Sequence, residues 1–252
     1  MKRPALLLLC LLGALAAAHA GDSLRYRIAQ MLIVGFRGAE LKPESHIYSD
    51  VQALRVGGVI LFDYDVPGKQ RGRNITSPRQ LKALCADLQQ LAGGRLIISI
   101  DQEGGMVSRL KASAGFPPTA TAKRLGQLNS ADTTRRYAAA TARLLRELGV
   151  NFNFAPCVDV DVNPQCPVIG KLERSFSPNP EVVATHAGIW VDEHRRQRVL
   201  TSPKHFPGHG SSAHDSHLGL TDVTATWTEQ ELRPYELLVQ RGQCDAIMVS
   251  HV

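Results

Sequence analysis

The sequence predicts a parallel α/β fold of the barrel type, and three observations lead there. Six short apolar runs recur along the chain, separated by segments of helical character. The runs are mostly rich in β-branched residues or phenylalanine, and several lack polar alternation, the pattern of strands covered on both faces. Polar residues able to do chemistry gather just after three of them, as in barrels whose working groups sit at the carboxyl ends of the strands.

The chain of 252 residues opens on "MKRPALLLLCLLGALAAAHA". Lys2 and Arg3 precede an apolar run from Ala5 to Ala18, and "AHA" supplies the small residues a signal peptidase reads. Residues 1–20 are therefore expected to be a secretory signal, with the product periplasmic or extracellular. Cys10 lies deep in the apolar run without a small-residue pair before it, so it is not read as a lipid-attachment site. Residues 21–252 are long enough for one domain with one sizeable core.

The runs are "MLIVGF" (31–36), "GGVILF" (57–62), "RLIISID" (95–101), "VNFNFAP" (150–156), "VLTSPKHF" (199–206) and "AIMVSHV" (246–252). Between the fourth and its predecessor, Tyr137, Leu144, Leu145 and Leu148 predict one face of a helix over 130–148, with Gly149 as its stop. "SPNPEVV" offers Asn179 as an N-cap and Pro180 at the first helical position. "TEQE", Thr228 to Glu231, has capping-box spacing, and Leu232, Tyr235 and Val239 follow as a stripe before Gly242. Strand and helix in alternation imply parallel pairing. No Gly-rich phosphate loop follows the first run, which argues against a dinucleotide fold. The sixth run ends at Val252, so the expectation is an incomplete (β/α)₈ barrel with about six of its eight units, open at two edges.

The formal charge is +6, two of it from Lys2 and Arg3, and the basic residues are dispersed. That reads as a solvated surface rather than a nucleic-acid footprint. No later stretch holds eighteen uninterrupted apolar residues, so no membrane span is expected after the leader. Cys157 and Cys166 flank one short loop and could pair in an oxidising compartment, or could be buried free thiols. No CxxC spacing points to zinc.

Three stretches carry chemistry. "IDQEGGMVSRL" puts Asp101 at a strand end, turns on Gly104-Gly105 and returns Arg109. A carboxylate beside a guanidinium suits a polyhydroxylated ligand, and equally suits a pair that merely holds the loop. "IGKLERSFSPNP" places Arg174 in the loop after the fourth strand, where a lone arginine is usually surface charge. "KHFPGHGSSAHDSH" (204–217) sets Lys204 and His205 at the fifth strand end, then a loop broken by Pro207, Gly208 and Gly210. Asp215 and His217 stand two apart there. A carboxylate orients an imidazole and favours its charged form, making an acid usable near neutral pH. His205, His209, His214, His217 and Asp215 could also be drawn as a metal site, but a glycine-rich loop holds ligands poorly, and His209 reads as a structural cap.

"KHFPGHG" followed by "DSH", with "IDQEGG" upstream, closely resembles the bacterial β-N-acetylglucosaminidases of glycoside hydrolase family 3, over about Ile33 to Val252. The resemblance implies a (β/α)₈ barrel and retaining hydrolysis of terminal β-linked N-acetylglucosamine, from peptidoglycan fragments or chitooligosaccharides, without cofactor or metal. By that similarity Asp101, Arg109, Arg174, Lys204 and His205 grip the sugar hydroxyls, and His217, oriented by Asp215, is the general acid/base. This sequence departs from the pattern in three places. Met106 stands where arginine is common, and "FDYDVPGKQRGRNITSP" (62–78) is longer than the usual link. The family's nucleophilic aspartate follows the seventh strand, so these residues alone are expected to be inactive. A sugar-binding pseudoenzyme, or a β-glucosidase or phosphorylase on the same barrel, are the alternatives; "DSH" favours N-acetylglucosamine over glucose. Asn74 begins a sequon, "NIT".

Overall fold

The computed structural model describes residues 23–216 and 218–252. The leader expected over 1–20, and His217, lie outside the described residues. The elements are α1 (Ser23–Gln30), β1 (Ile33–Gly35), α2 (His46–Ser49), β2 (Gly58–Leu61), β3 (Tyr64–Asp65), β4 (Gln70–Arg71), α3 (Pro78–Leu91), β5 (Ile97–Ile100), β6 (Gln102–Gly104), β7 (Val107–Ser108), α4 (Ala122–Leu128), α5 (Ala131–Leu148), β8 (Phe152–Asn153), α6 (Pro180–Arg196), β9 (Leu200–Thr201), β10 (Lys204–Phe206), α7 (Arg233–Gln240) and β11 (Met248–Val249).

Five strands pair in parallel in the order β1-β2-β5-β8-β9. β10 resumes the line of β9 past Ser202 and Pro203 and pairs in parallel with β11. A bridge between Cys157 and Lys204 carries the neighbouring strand along with it. All six predicted runs thus stand side by side in chain order, an α/β fold with parallel pairing throughout the series. Strand, helix, strand repeated in one direction puts every strand's carboxyl end on the same side.

The central strands are buried as their composition requires: Val59, Leu61, Ile98 and Ile100 are fully enclosed. They pack with Leu81, Leu84 and Leu88 of α3 and with Leu145 and Leu148 of α5. Each such side chain contributes roughly 1.5–3 kcal/mol by leaving water. A second cluster joins Val183, Ala187 and Trp190 of α6 to Tyr235 and Leu238 of α7. Burial on both faces fails at the two outer strands, where Met31 beside β1 is 83% exposed and Val249 of β11 is 65% exposed. Each of those strands has a partner on one side only among the described residues.

The helix ends follow the sequence closely, their faces less so. Asn179 Oδ1 accepts from the amides of Glu181 and Val182, and Pro180 begins α6. α5 starts at the Ser130 cap and stops at Gly149. Its buried face, however, is Thr134, Ala138, Thr141, Ala142, Leu145 and Leu148, while Tyr137 is half exposed. Small residues win this face because α6 crosses it closely. The capping box at Thr228 does not form: Thr228 makes no side-chain cap, and a 3₁₀ turn over Glu229–Leu232 precedes α7. Glu231 turns inward to the loop after β10 instead, and Val239 is exposed. Cys157 and Cys166 are free buried thiols, not a disulfide. No helix of the described residues is long and apolar enough to cross a membrane.

Candidate active site

A cavity of about 550 Å³ opens at the carboxyl ends of the strands. Asp101 follows β5, Arg174 lies in the long link from β8 to α6, and Lys204 and His205 are the first residues of β10. All four line the cavity together with Arg109 and Asp215. Ile60, Phe154, Val168, Leu172 and Met248 supply an apolar wall. The five residues expected to bind sugar are therefore brought to one place by three segments of the fold. Asp215 stands at its edge with Ser216, and Met106 also borders it, 62% exposed.

The floor is a chain of alternating charges. Lys204 Nζ lies 2.7 Å from Asp101 Oδ1 and 2.6 Å from Glu103 Oε1. Arg174 meets Glu103 in a two-pronged pair, Nε to Oε2 at 2.9 Å and Nη2 to Oε1 at 2.7 Å. Its Nη1 donates to the Val168 carbonyl at 2.9 Å. Arg109 Nη2 reaches Asp101 Oδ2 at 3.4 Å and its Nη1 lies 3.8 Å from Asp63. The reading of Arg174 as surface charge is thus overturned: it is 9% exposed, because its counter-ion, 71 residues away in sequence, is buried beside it. Charges this deep persist only when paired and hydrogen-bonded.

The ionisation states follow. Burial alone would raise the Glu103 carboxyl, but the charges of Arg174 and Lys204 overcome it and hold it well below the usual carboxylate range. Asp101 is likewise lowered against its burial, chiefly by Lys204. Lys204, which burial alone would lower, is raised by Glu103 and Asp101. The floor is fully ionised at neutral pH, with three cations facing three carboxylates once Asp159 is included.

Asp159 is the buried end of this network. Its Oδ2 lies 2.6 Å from His205 Nδ1 and accepts from the Cys157 thiol at 3.1 Å. Its Oδ1 accepts the backbone amides of His209 at 2.8 Å and His205 at 3.3 Å. Burial would raise it, but His205 and the converging hydrogen bonds hold it down. His205 Nε2 lies 3.1 Å from Arg174 Nη2, which can only donate. The imidazole is therefore neutral, with its proton on Nδ1; burial lowers its pKa in agreement, despite the pull of Asp159.

The loop beyond β10 is rooted by two further contacts. Glu231 Oε2 accepts the amides of Gly210 at 2.9 Å and Ser211 at 3.3 Å. A Cβ at Gly210 would overlap the Val160 carbonyl, which is why that position is bare. His209 has the structural role expected of it: Nδ1 pairs with Ser212 and Nε2 with Ser216. That leaves neither of its ring nitrogens for a metal. Among the described residues one group could offer metal ligands, Cys157, Asp159 and His205, within 4.8 Å of one another. Their contacts are proton-bearing, and burial together with the Asp159 charge pushes the Cys157 thiol far up. A thiolate ligand is thereby opposed.

Residues 23–252 match the family model for the N-terminal domain of glycosyl hydrolase family 3. The chain belongs to glycosyl hydrolase family 3. It is 33% identical over 238 residues to the beta-hexosaminidase LpqI of Mycobacterium tuberculosis, covering 90% of this chain and 54% of that relative. A beta-hexosaminidase of Tolumonas auensis is 34% identical over 227 residues, 88% of this chain and 63% of its own. Among solved structures, a family 3 beta-N-acetylglucosaminidase from Paenibacillus superposes with a TM-score of 0.77 at 36% identity, over 91% of this chain and 42% of that one. The chain thus spans about half to just under two thirds of the curated relatives it matches.

In this family 3 domain, sequence reasoning missed two floor residues. Glu103 lay inside the quoted "DQEGG" but received no role. Asp159 lay in "CVDVDV", where its neighbours Val158 and Val160 are both enclosed. An acidic residue between two buried valines, just past an apolar run, was the available signal.

Proposed function

We propose that the chain is the sugar-gripping part of an exo-acting β-N-acetylglucosaminidase. The observation that carries this is the convergence of Asp101, Arg109, Arg174, Lys204 and His205 on one cavity at the strand ends. Fixed charges of both signs offer donors and acceptors to the hydroxyls of a neutral sugar, while Val168, Leu172 and Met248 give an acetamido methyl an apolar face. The six parallel strands are read as successive units of a (β/α)₈ barrel, the active site at its carboxyl face.

His217, two residues past the cavity-lining Asp215, serves as general acid/base in this reading. It first protonates the glycosidic oxygen and then activates water. Retention also requires a nucleophilic carboxylate across the ring. Asp101, Glu103 and Asp159 are poor candidates, since each is held by two or more donors as a counter-ion. By family resemblance that carboxylate follows a seventh strand. Substrates are peptidoglycan fragments or chitooligosaccharides, reached by export to the periplasm or beyond.

Calorimetric titration of this chain with N-acetyl-D-glucosamine, against D-glucose, tests the reading. Preference for the acetamido sugar is expected. Equal affinity for the two, or no heat with either, overturns it.

A further inference from the structure

We infer that Asp159 is a positioning residue that acts on the sugar site through His205, fixing that ring as the Nδ1–H tautomer so that its Nε2 lone pair holds the Arg174 guanidinium. The inference deepens the proposed function and rests on it only for the identity of the sugar. Asp159 itself is fully enclosed and does not border the cavity.

The geometry is one of donor counting. Four groups point their hydrogens at the two oxygens of Asp159: the amides of His205 and His209, the Cys157 thiol, and the ring Nδ1 of His205. A carboxylate has acceptor capacity for all four. An imidazole that donates from Nδ1 while neutral must carry its lone pair on Nε2, and it is there that Arg174 Nη2 donates. Arg174 is then gripped from three directions, by Glu103, by the Val168 carbonyl and by His205. Among these contacts one Nη1 hydrogen remains unspent for the cavity. The tautomer thus decides where the guanidinium points. Its mirror, with the proton on Nε2, would set an N–H against an N–H of Arg174.

Asp159→Asn preserves the volume and breaks the arithmetic. If the amide oxygen faces the backbone amides, its NH₂ faces His205 and favours the wrong tautomer. If the oxygen faces His205, the NH₂ meets two backbone N–H groups. Either way one buried donor is left against another.

Two measurements test this. Nitrogen-detected NMR of histidine-labelled wild-type chain should show the His205 ring neutral, with Nδ1 protonated and Nε2 bare, across the neutral range. An Nε2–H tautomer or a charged ring overturns the inference, whether or not any variant folds. Titration of Asp159→Asn with N-acetyl-D-glucosamine should show affinity lower by roughly ten- to a hundredfold, the consequence of a buried unsatisfied donor. Wild-type affinity in the variant overturns the inference as well. Failure of the wild-type chain to bind the sugar would sink the proposed function instead, and leaves the tautomer to be decided by NMR alone.

Discussion

Lys204 and Asp215 border the same cavity, yet they belong to unlike regions. Lys204 is 2% exposed and locked between two carboxylates. Asp215 lies on a stretch where His214, Leu218 and Leu220 all face solvent. The floor joins strand ends, which carry Asp101, Glu103, Lys204 and His205, to the link after β8, which carries Asp159 and Arg174, and its charges are paired with one another before any ligand arrives. The loop is tied through Glu231 at Gly210 and Ser211, and His209 reaches along it to Ser212 and Ser216. In the proposed reading, recognition falls to the paired floor and proton transfer to the loop beyond β10. A group that must approach the leaving oxygen and then retreat gains from that division.

The largest effect expected on either side of the comparison comes from the loop. In a protein that also carries the nucleophilic carboxylate, His217→Ala should lower turnover of 4-nitrophenyl N-acetyl-β-D-glucosaminide by roughly 10²- to 10⁴-fold, the usual worth of a general acid/base. Affinity for N-acetylglucosamine should hardly move. Turnover unchanged would remove His217 from the mechanism.

Lys204→Met probes the floor. It leaves Asp101 and Glu103 facing each other without their shared cation, and stability should drop by roughly 3–5 kcal/mol in urea unfolding. Sugar binding should vanish with it. A stable variant that still binds would mean that the floor is less dry than its burial indicates.

Acid titration sharpens the contrast more gently. The floor carboxylates are depressed in the fold, so the stability they confer is complete above their unfolded values near pH 4 and is lost as pH falls through the folded ones. His205 is also depressed; its contribution is complete above about pH 6.5 and is lost as pH falls from there through its lowered folded value. Sugar affinity of the folded protein should thus stay flat between about pH 6.5 and 8. A bell-shaped affinity over that range would show the floor titrating, contrary to its pairing. The smallest effect is Ser216→Ala. It deletes one hydrogen bond to His209 and should cost about 1 kcal/mol or less, with no change in sugar affinity.

The strands were legible because buried parallel strands leave a local mark, short apolar runs, and that mark needs no partner to be read. Asp101, Lys204 and His205 were legible for the same reason, standing where those runs stop. Arg174 was ambiguous because what buries it is Glu103, which no local pattern connects to it. Asp159 was missed because its partners are a thiol, two amides and a ring brought in by another strand. The face of α5 was misread because the apolar stripe was drawn through large residues, whereas close helix packing buried small ones such as Ala138 and Ala142 and left Tyr137 outside; on α7 the buried face turns to Tyr235, Leu237 and Leu238, leaving Val239 exposed.

Asn74 has a consequence for how the protein is made. Its side chain is fully enclosed, donating to the Phe36 and Gly38 carbonyls and accepting from the Phe62 amide, so it straps the first strand's exit to the second's. Yet it heads an acceptor triplet for oligosaccharyl transfer. In a eukaryotic secretory host, chains decorated there would be stopped from folding and would be sorted for disposal, while the secreted product would be bare at this position. Replacing Asn74 to silence the triplet would cut the strap itself. Thr76→Ala removes the triplet at an exposed position and spares it.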